Sequence, residues 1–542
     1  MSIIHIDEKT VLLSLLTDKE KKDYLCAKIN GRVCSLNEII DKGDYDISFL
    51  DLNNSEASRI YSASLRFLSS LACKILSDDF EIKFLYYVSR SIFATPVGKI
   101  DYLNPDFVEK LSSLMNDLIK SDIPFTTVKV SKEEAISIFK KLHFTDKIDL
   151  VKYNNEKMIS LVKASYNGFD YYDCLYSPLV PSSGYISTFK IKYYSPGFIL
   201  QVPRSEIGAK IPEFVDERKF AQAIQYQVTW QNITKLSTVS EINKFVKKNS
   251  PLALISISET GINDLICQIG QRISNGDSPI KLICIAGPSS SGKTSFANRV
   301  VYELMSKGYL PIRISMDDYF IPKAKLDSKV SLESVDALDM SFFNMQMDEL
   351  LRGKKVTLPC YNFKTGQREK GATIQLGKNQ PIIVEGIHAL NSVTCNNIPN
   401  INKYRIFISP IPLVNLDNHT PISMTDMRLL RRIARDVRTR ATSPVQTLKM
   451  WSSVRYGEFN YIYPTQENAD FVFNSFHPYE IGAMRNIVLP MLEKIKPEDE
   501  EYLTAQRLIN MVKYFIPIPF DDVPNNSLMR EFLGGSVFKD AR

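Results

Sequence analysis

The residues with the clearest chemical signature form the stretch GPSSSGKTS, at positions 287–295. An apolar run typical of a strand, residues 281–286, precedes it, and a run with helical spacing, residues 295–304, follows it. The spacing fits GxxxxGK[ST], in which two glycines let the loop wrap until its backbone N–H groups and the helix start hold phosphates. The lysine adds a cation, and the threonine hydroxyl can ligate Mg²⁺. We therefore predict a nucleotide-binding loop formed by Gly287, Pro288, Ser289, Ser290, Ser291, Gly292, Lys293, Thr294 and Ser295.

Carboxylates follow two further strand-like runs. Asp317 and Asp318 come after the run at 311–315, and Glu385 ends the run at 381–384. In open parallel sheets, ligands bind beyond the carboxyl ends of the strands. A carboxylate at that edge can take the proton of an attacking hydroxyl or bind the metal of a nucleotide. A solvated turn pair and a helix N-terminal acid are the alternative interpretations.

A basic helix is predicted over residues 424–440, which contain six arginines. Arg428, Arg432 and Arg435 are spaced to share one face. Such a charge run is usually a solvated face, but transfer of a phosphoryl group needs cations around the moving charge. We therefore predict a lid over the phosphate loop. No aromatic interleaving accompanies the arginines, which argues against a nucleic-acid surface.

Length and composition indicate a multidomain globular protein. The chain has 542 residues, of which 44% are apolar and 24% charged, and its net charge of +6 is small for that length. It contains no apolar run of membrane-spanning length, and its first residues lack a secretory pattern. Its eight cysteines are scattered without a CxxC pair, so we expect no disulfide framework or zinc site and a cytoplasmic location.

The order of predicted elements divides the chain into four parts. Residues 1–52 form a small mixed unit with a hairpin dipeptide, Asn30-Gly31, and residues 53–216 interleave helices and strands as α+β domains do. Residues 217–262 are expected to be a helical connector. From 263 to 542 strands alternate with helices, which predicts a parallel sheet covered on both faces.

The motifs of this last part resemble, in their order, the uridine kinase and phosphoribulokinase branch of P-loop kinases. The matching stretches lie between about 280 and 475: GPSSSGKTS, SMDDYF, VDALDMSFFNMQMDELLRGKKVTLPCYNFKTGQR, IIVEGIHALN, RLLRRIARDVRTR and YPTQENADFVFNS. The resemblance implies a parallel sheet flanked by helices and transfer of the ATP γ-phosphate to a sugar hydroxyl.

The same resemblance assigns roles by position. Asp317 is implied as the general base for a nucleoside 5′-hydroxyl, and Lys293 as a ligand of the phosphates. The implied Mg²⁺ group is Thr294, Asp317 and Glu385. The implied acceptor-binding residues are Asp317, Glu333, Tyr361, Arg368 and Arg432, and the implied lid arginines are Arg432, Arg435 and Arg440.

Three positions depart from the family pattern. Gly366 stands where uridine–cytidine kinases place a histidine that helps to read the pyrimidine, and Glu333 stands where an aspartate grips the ribose hydroxyls. Thr442 stands where the family has a further lid arginine. The phosphotransfer groups are therefore present, whereas the identity of the acceptor stays open.

The N-terminal half carries a second resemblance. LCAKINGRVCSLNEII is similar to a TGS domain, a β-grasp module, and residues 55–205 resemble the second, editing-type domain of threonyl-tRNA synthetases. That domain uses an HxxxH pair, a cysteine and another histidine, whereas this half has only Cys174 in a matching stretch and the isolated His5 and His143. We expect no active editing or zinc site. The order of the three modules resembles a group of long microbial proteins usually described as nucleoside or uridine kinases.

The expected fold is thus an α/β P-loop kinase preceded by a small β-grasp-like domain and an α+β editing-like domain. The leading hypothesis is a kinase that uses ATP and Mg²⁺ and takes a small-molecule nucleoside as its partner. A kinase for another sugar or polyol, and an ATP-binding protein that regulates or binds RNA or tRNA, are the alternatives. We expect no membrane or nucleic-acid partner, and homo-oligomerisation stays open.

Overall fold

The computed structural model describes residues 3–98, 103–153, 156–276, 279–327, 330–363, 365–377 and 379–539. In these residues, no helix combines the length and the apolar character needed to cross a membrane.

The first part of the chain is a small mixed unit. Its elements are β1 (Ile3–Ile6), β2 (Thr10–Val11), α1 (Glu20–Asp23), β3 (Cys26–Ile29), β4 (Arg32–Ser35), β5 (Ile39–Ile40) and β6 (Gly43–Leu50). Four of the strands form an antiparallel sheet in the order β1-β6-β3-β4, and β2 pairs with β5 beside it. Asn30 and Gly31 join β3 to β4 with φ angles of 47° and 80°, as the predicted hairpin turn requires.

The second part is an α+β unit with two antiparallel sheets. Its elements are α2 (Ser55–Leu76), β7 (Ile82–Val88), β8 (Ser91–Pro96), α3 (Pro105–Lys120), β9 (Thr126–Ser131), α4 (Lys132–Lys141), α5 (Thr145–Tyr153), β10 (Met158–Tyr166), β11 (Phe169–Cys174), β12 (Lys190–Tyr194) and β13 (Gly197–Gln201). The sheets have the orders β12-β13-β8-β7 and β11-β10-β9. The long helix α2 is buried along most of its length, and its first turn is capped by the side chain of Asn54.

Three helices lead into the last part: α6 (Arg218–Thr234), α7 (Val239–Lys248) and α8 (Pro251–Ser274). Helix α7 begins with a capping box between Thr238 and Glu241. Helix α8 runs through residue 262, and its residues Ile266 and Ile269 pack in the same apolar cluster as Phe296. This helix therefore covers the sheet of the last part instead of only leading to it.

The last part has a five-stranded parallel sheet, as predicted. Its strands are β14 (Leu282–Ala286), β15 (Ile312–Ser315), β18 (Ile382–Glu385), β19 (Lys403–Ser409) and β22 (Phe471–Asn474). They lie in the order β15-β18-β14-β19-β22. Alternate residues of β14 enter two different apolar clusters, with Ile283 and Ile285 in one and Leu282 and Cys284 in the other. Both faces of the sheet are thus buried, as a parallel sheet requires.

Helices and two hairpins surround that sheet. They are α9 (Lys293–Ser306), α10 (Met340–Leu351), β16 (Val356–Asn362), β17 (Gln367–Ile374), β20 (Asn415–Asp417), β21 (Thr420–Pro421), α11 (Met424–Thr439), α12 (Pro444–Lys449), α13 (Trp451–Gly457), α14 (Glu480–Leu492), α15 (Tyr502–Lys513) and α16 (Arg530–Leu533). Helix α9 follows β14 directly across the loop 287–292, so the predicted strand–loop–helix unit is present.

Candidate active site

The two glycines of the loop 287–292 are each required by the backbone. A Cβ on Gly287 would lie 2.0 Å from the carbonyl oxygen of Ile408, because the loop starts against the neighbouring strand β19. Gly292, at the N-cap of α9, has a φ of +88°, a conformation that other residues adopt only at a cost. The loop can therefore turn tightly into the helix only with glycine at both positions.

Side chains inside the loop are left free for an anion. Among the described residues, the buried hydroxyls of Ser290 and Ser291 have no hydrogen-bond partner. The ammonium of Lys293 donates to the carbonyl oxygens of Gly287 and Pro288, at 2.9 and 3.2 Å. Burial lowers the pKa of Lys293, an effect that the nearby carboxylates of the site oppose. Phosphate oxygens would satisfy the hydroxyls and draw the lysine away from its own loop.

Two carboxylates face this loop from neighbouring strands. Ser315 and Ile285 both lie in register with Glu385, at the carboxyl edge of the sheet. The turn after β15 carries Asp317, whose backbone N–H donates to the Ser315 hydroxyl at 3.3 Å. Burial raises the pKa of Asp317 above its usual value, while the charges of Lys293 and Arg440 lower it. The side chain of Asp317 nevertheless remains open to the cleft, where an acceptor could reach it.

Glu385 is a buried acid beside a second acid. Burial and the charge of Asp317 raise the pKa of Glu385 to about 7, against the opposing charges of Lys293 and Arg313. The closest described cation is Arg313, whose Nη1 lies 3.4 Å from the Glu385 Oε1. Carboxylate oxygens such as those of Asp317 and Glu385, and a hydroxyl such as that of Thr294 in the first turn of α9, are the oxygen ligands that Mg²⁺ prefers. A divalent cation would also relieve the repulsion between the two acids, so the residues fit a Mg²⁺ site.

Helix α11 holds the phosphate loop from outside with its buried arginines. Arg428 donates from Nε to the carbonyl oxygen of Ser289 at 2.9 Å, and Arg431 donates to that of Ser291 at 3.4 Å. Both guanidiniums are fully buried and are neutralised by acids, Arg428 by Glu458 and Arg431 by Glu480. With its carbonyl groups bound on the outside, the loop can keep its N–H groups turned inward.

A second group of arginines surrounds one aspartate of the same helix. Asp436 lies 3.2 Å from Nε of Arg432, 2.8 Å from Nη2 of Arg435 and 3.7 Å from Nε of Arg440. Arg432 also donates to the Ser289 hydroxyl at 3.1 Å, and the charge of Arg440 reaches Asp317. The three predicted lid arginines therefore gather around Asp436, with Arg432 also contacting the phosphate loop.

An aromatic wall lies where the β16–β17 hairpin meets the segment after β15. The ring of Tyr361 lies 5.6 Å from that of Phe320 and 4.9 Å from that of Phe363, which is 67% exposed. Arg368 belongs to β17 of the same hairpin, and its Nη1 lies 3.2 Å from the Asp339 Oδ2. This wall combines one predicted residue, Tyr361, with two that the sequence analysis did not single out.

Two of the positions that depart from the family pattern have distinct surroundings. Gly366 has a φ of +67°, and a Cβ there would lie 2.9 Å from the Cβ of Lys323. Glu333 packs against the backbone of Gly457, where an added Cβ would meet the glutamate side chain. The charge of Arg432 acts on Glu333, so Glu333 lies on the arginine side of the cleft.

Sequence reasoning missed two kinds of residue. The spacing groups Arg428 with Arg432 and Arg435 as cations of a lid and does not single out Arg431, yet Arg428 and Arg431 are buried braces whose acid partners are distant in the chain. Their signal was present in the leucines and isoleucine that alternate with the arginines, because an apolar side must be buried. Glu531, whose carboxylate accepts from Ser295, had no signal.

A possible metal group also exists outside this cleft. Asp173, Cys174 and Asp417 bring ligand atoms within 4.8 Å of one another. The ammonium of Lys147 lies 2.6 Å from a carboxylate oxygen of each aspartate, so a cation already lies between the two carboxylates. Lys147 is therefore the cation that balances these carboxylates.

The part of the chain that forms this cleft is similar to known proteins. The model of the phosphoribulokinase / uridine kinase family matches residues 282–481. A uridine kinase of Ureaplasma parvum serovar 3 (strain ATCC 27815 / 27 / NCTC 11736) is 31% identical over 203 residues, which are 36% of this chain and 88% of that protein. A uridine kinase of Lactobacillus helveticus (strain DPC 4571) is 29% identical over 197 residues, covering 35% of this chain and 84% of that protein.

A solved structure described as a possible uridine kinase from Bacillus stearothermophilus is similar to this chain at 19% identity and a TM-score of 0.27. The match covers 39% of this chain and 98% of that structure's chain.

The matched residues of the curated relatives span nearly their whole length, and the family region of this chain holds the phosphate loop, the edge carboxylates and helix α11. The chain therefore belongs to the phosphoribulokinase / uridine kinase family.

Proposed function

We propose that this protein transfers the γ-phosphate of ATP to the 5′-hydroxyl of a nucleoside, with Mg²⁺ as the metal. Members of its family are phosphotransferases acting on an alcohol acceptor, and the chain is one of them. The observation that carries the proposal is that Asp317, in the turn after β15, lies close enough to Lys293 of the phosphate loop and to Arg440 for their charges to lower its pKa against the effect of burial. A base beside phosphate-binding cations is what transfer to a hydroxyl requires.

The residues divide the reaction between them. Asp317 takes the proton of the acceptor hydroxyl as its oxygen forms a bond to the γ-phosphorus, and the bond from that phosphorus to the β–γ bridging oxygen breaks. Lys293, Arg432, Arg435 and Arg440 hold the phosphate oxygens as charge redistributes, and ADP leaves with the bridging oxygen. Thr294, Asp317 and Glu385 would hold the Mg²⁺, which supplies charge neutralisation to the β- and γ-phosphates.

The aromatic wall supports a nucleoside as the acceptor. Tyr361, Phe320 and Phe363 present a partly exposed set of rings, and a flat base gains stacking energy on such a surface. Glu333 would accept from ribose hydroxyls, and Arg368 would contact the base. A sugar or polyol kinase is the second candidate, because Gly366 leaves the pyrimidine-reading position without a side chain.

For the N-terminal half we propose a scaffold. Residues 1–52 and 53–216 are interpreted as TGS-like and synthetase-like domains on their sequence resemblance, with residues 217–262 as the helices that join them to the kinase. The cation position near Cys174 is filled by Lys147, which supports a structural role over a catalytic one. A cytoplasmic location and a small-molecule partner agree with the proposed reaction.

The test is ADP formation by the purified chain with ATP and Mg²⁺ over a panel of ribonucleosides, deoxynucleosides and polyols. Asp317→Asn should lower acceptor-dependent kcat by about 10³-fold, since a general base contributes between about 10² and 10⁴. The matched control is Asp318→Asn, whose carboxylate accepts from the Tyr361 backbone at 3.1 Å instead of facing the acceptor. This control should retain most of its turnover.

The outcomes of that assay are distinct. Turnover only with nucleosides, abolished by Asp317→Asn, supports the proposal. Turnover with polyols alone moves the assignment to the second candidate. Nucleotide binding without turnover on any acceptor contradicts both.

A further inference from the structure

A C-terminal segment outside the family region lies against the phosphate loop. Residues 520–539 turn back after α15 and include the short helix α16. Leu528 and Phe532 approach the position where a Cβ on Gly292 would stand, at 4.0 Å. Arg438 of α11 donates to the carbonyl oxygen of Glu531 at 2.7 Å, which fixes the segment against the arginine helix.

The side chain of Glu531 uses donors at the start of α9. Its Oε2 accepts from the backbone N–H of Ser295 at 3.3 Å and from the Ser295 hydroxyl at 3.0 Å. Ser295 is the third residue of α9, and N–H groups of a first helical turn have no partner within the helix. In a phosphate loop that opens a helix, these groups are donors for the α- and β-phosphates of a nucleotide.

The charge of Glu531 is also felt inside the cleft. Burial lowers the pKa of Lys293 and raises that of Glu385, and the charge of Glu531 opposes the first effect and adds to the second. Glu531 and Ser295 are buried, so little solvent screens this charge. A nucleotide phosphate entering here would find the Ser295 N–H and hydroxyl already donating to the Glu531 carboxylate. The negative charge of that carboxylate would also repel the phosphate at short range.

We propose that Glu531 is an internal occupant of the nucleotide phosphate site and that it weakens nucleotide binding by competing for the first turn of α9. The inference rests on the proposed function only in requiring that the loop bind a nucleotide. The ligand class is a nucleoside di- or triphosphate, recognised through the phosphate nearest its ribose. For that phosphate to bind, the Glu531 carboxylate must leave Ser295.

The experiment measures binding of ADP with Mg²⁺ to the full chain by titration calorimetry, with no acceptor present. Glu531→Gln keeps the shape of the side chain but removes its charge, and the Kd for ADP should fall about tenfold, the scale of one charged hydrogen bond. The matched control is Asp522→Asn, an exposed acid of the same segment, which should leave the Kd unchanged.

Thermal unfolding separates the effect from a loss of folding. Glu531→Gln should lower the melting temperature of the unliganded chain, because a capping carboxylate is lost, yet ADP should raise it by more than in the parent chain. A Kd that is unchanged or weaker in Glu531→Gln overturns the inference, as does a smaller ADP-induced rise. If ADP binding tightens but no nucleoside is phosphorylated, the inference stands and the proposed acceptor is wrong. If the parent chain binds no ADP, both fall.

Discussion

At the scale of single residues, the arginines of α11 separate into two functions that their spacing does not reveal. Arg431 is completely buried, and its guanidinium is paired by two hydrogen bonds of 3.0 and 2.6 Å with Glu480. Arg440, at the end of the same helix, keeps 55% of its side chain exposed, and its charge interacts with that of Asp317. One residue therefore stabilises the site, and the other is available to the reaction.

Replacing these two arginines by methionine should have opposite consequences. Arg431→Met leaves the buried Glu480 without its partner and should lower the free energy of unfolding by about 3–5 kcal/mol. Arg440→Met should change stability little but lower kcat about 10²-fold, because a cation near the transferring phosphoryl group is lost. Denaturant unfolding of both variants measures the free energy of unfolding, and steady-state kinetics measures kcat. A destabilised Arg440→Met with normal kcat would refute its assignment as a lid arginine.

At the scale of elements, the turn between β16 and β17 limits which side chain position 366 can carry. Gly366 lies in this turn with a positive φ, and its carbonyl oxygen accepts from the Lys323 backbone at 2.9 Å. The backbone is thus tied to the segment that follows β15, next to the aromatic wall of Phe320 and Tyr361. The absence of the family's histidine is accompanied by a local backbone that disfavours any β-substituted residue.

Introducing the family residue should therefore not restore its function. Gly366→His should cost about 1–2 kcal/mol of unfolding free energy, because a left-handed conformation is unfavourable for a residue with a Cβ. It should not lower the KM for uridine. Gly366→Asn is the matched control, since asparagine tolerates this conformation better and should cost less. A lower uridine KM in Gly366→His, at normal stability, would show that the turn can adapt and that the missing side chain alone sets the specificity.

At the scale of the whole molecule, the hairpin β20–β21 of the kinase half is embedded in the N-terminal half. Asp417 accepts from Lys147 and from the Tyr176 hydroxyl, at 2.6 and 3.0 Å, and His419 lies 2.6 Å from Asp173. All of these groups except Tyr176 are buried. Because Asp417 and Asp173 share one ammonium across the boundary, each half completes the charge balance of the other.

Removing that ammonium should destabilise both halves together. Lys147→Met removes the cation that two buried carboxylates share and should lower the free energy of unfolding by about 3–5 kcal/mol. The control is Lys163→Met, which breaks a more exposed pair with Asp170 and should cost less than about 1 kcal/mol. Denaturant unfolding followed in both halves measures the change. An unfolding transition of the kinase half that is unaffected by Lys147→Met would contradict the coupling.

The sequence by itself determined those features that depend on neighbours along the chain. The phosphate loop, its glycines, the strands of the parallel sheet and the acids at their ends were predicted because period, turn chemistry and helix starts are local properties. Tertiary structure decided which arginines are braces, that Lys147 fills the group around Cys174, and that Glu531 meets Ser295 from 236 positions away. Such contacts arise only when packed elements bring distant side chains together, and neither spacing nor composition records which elements will meet.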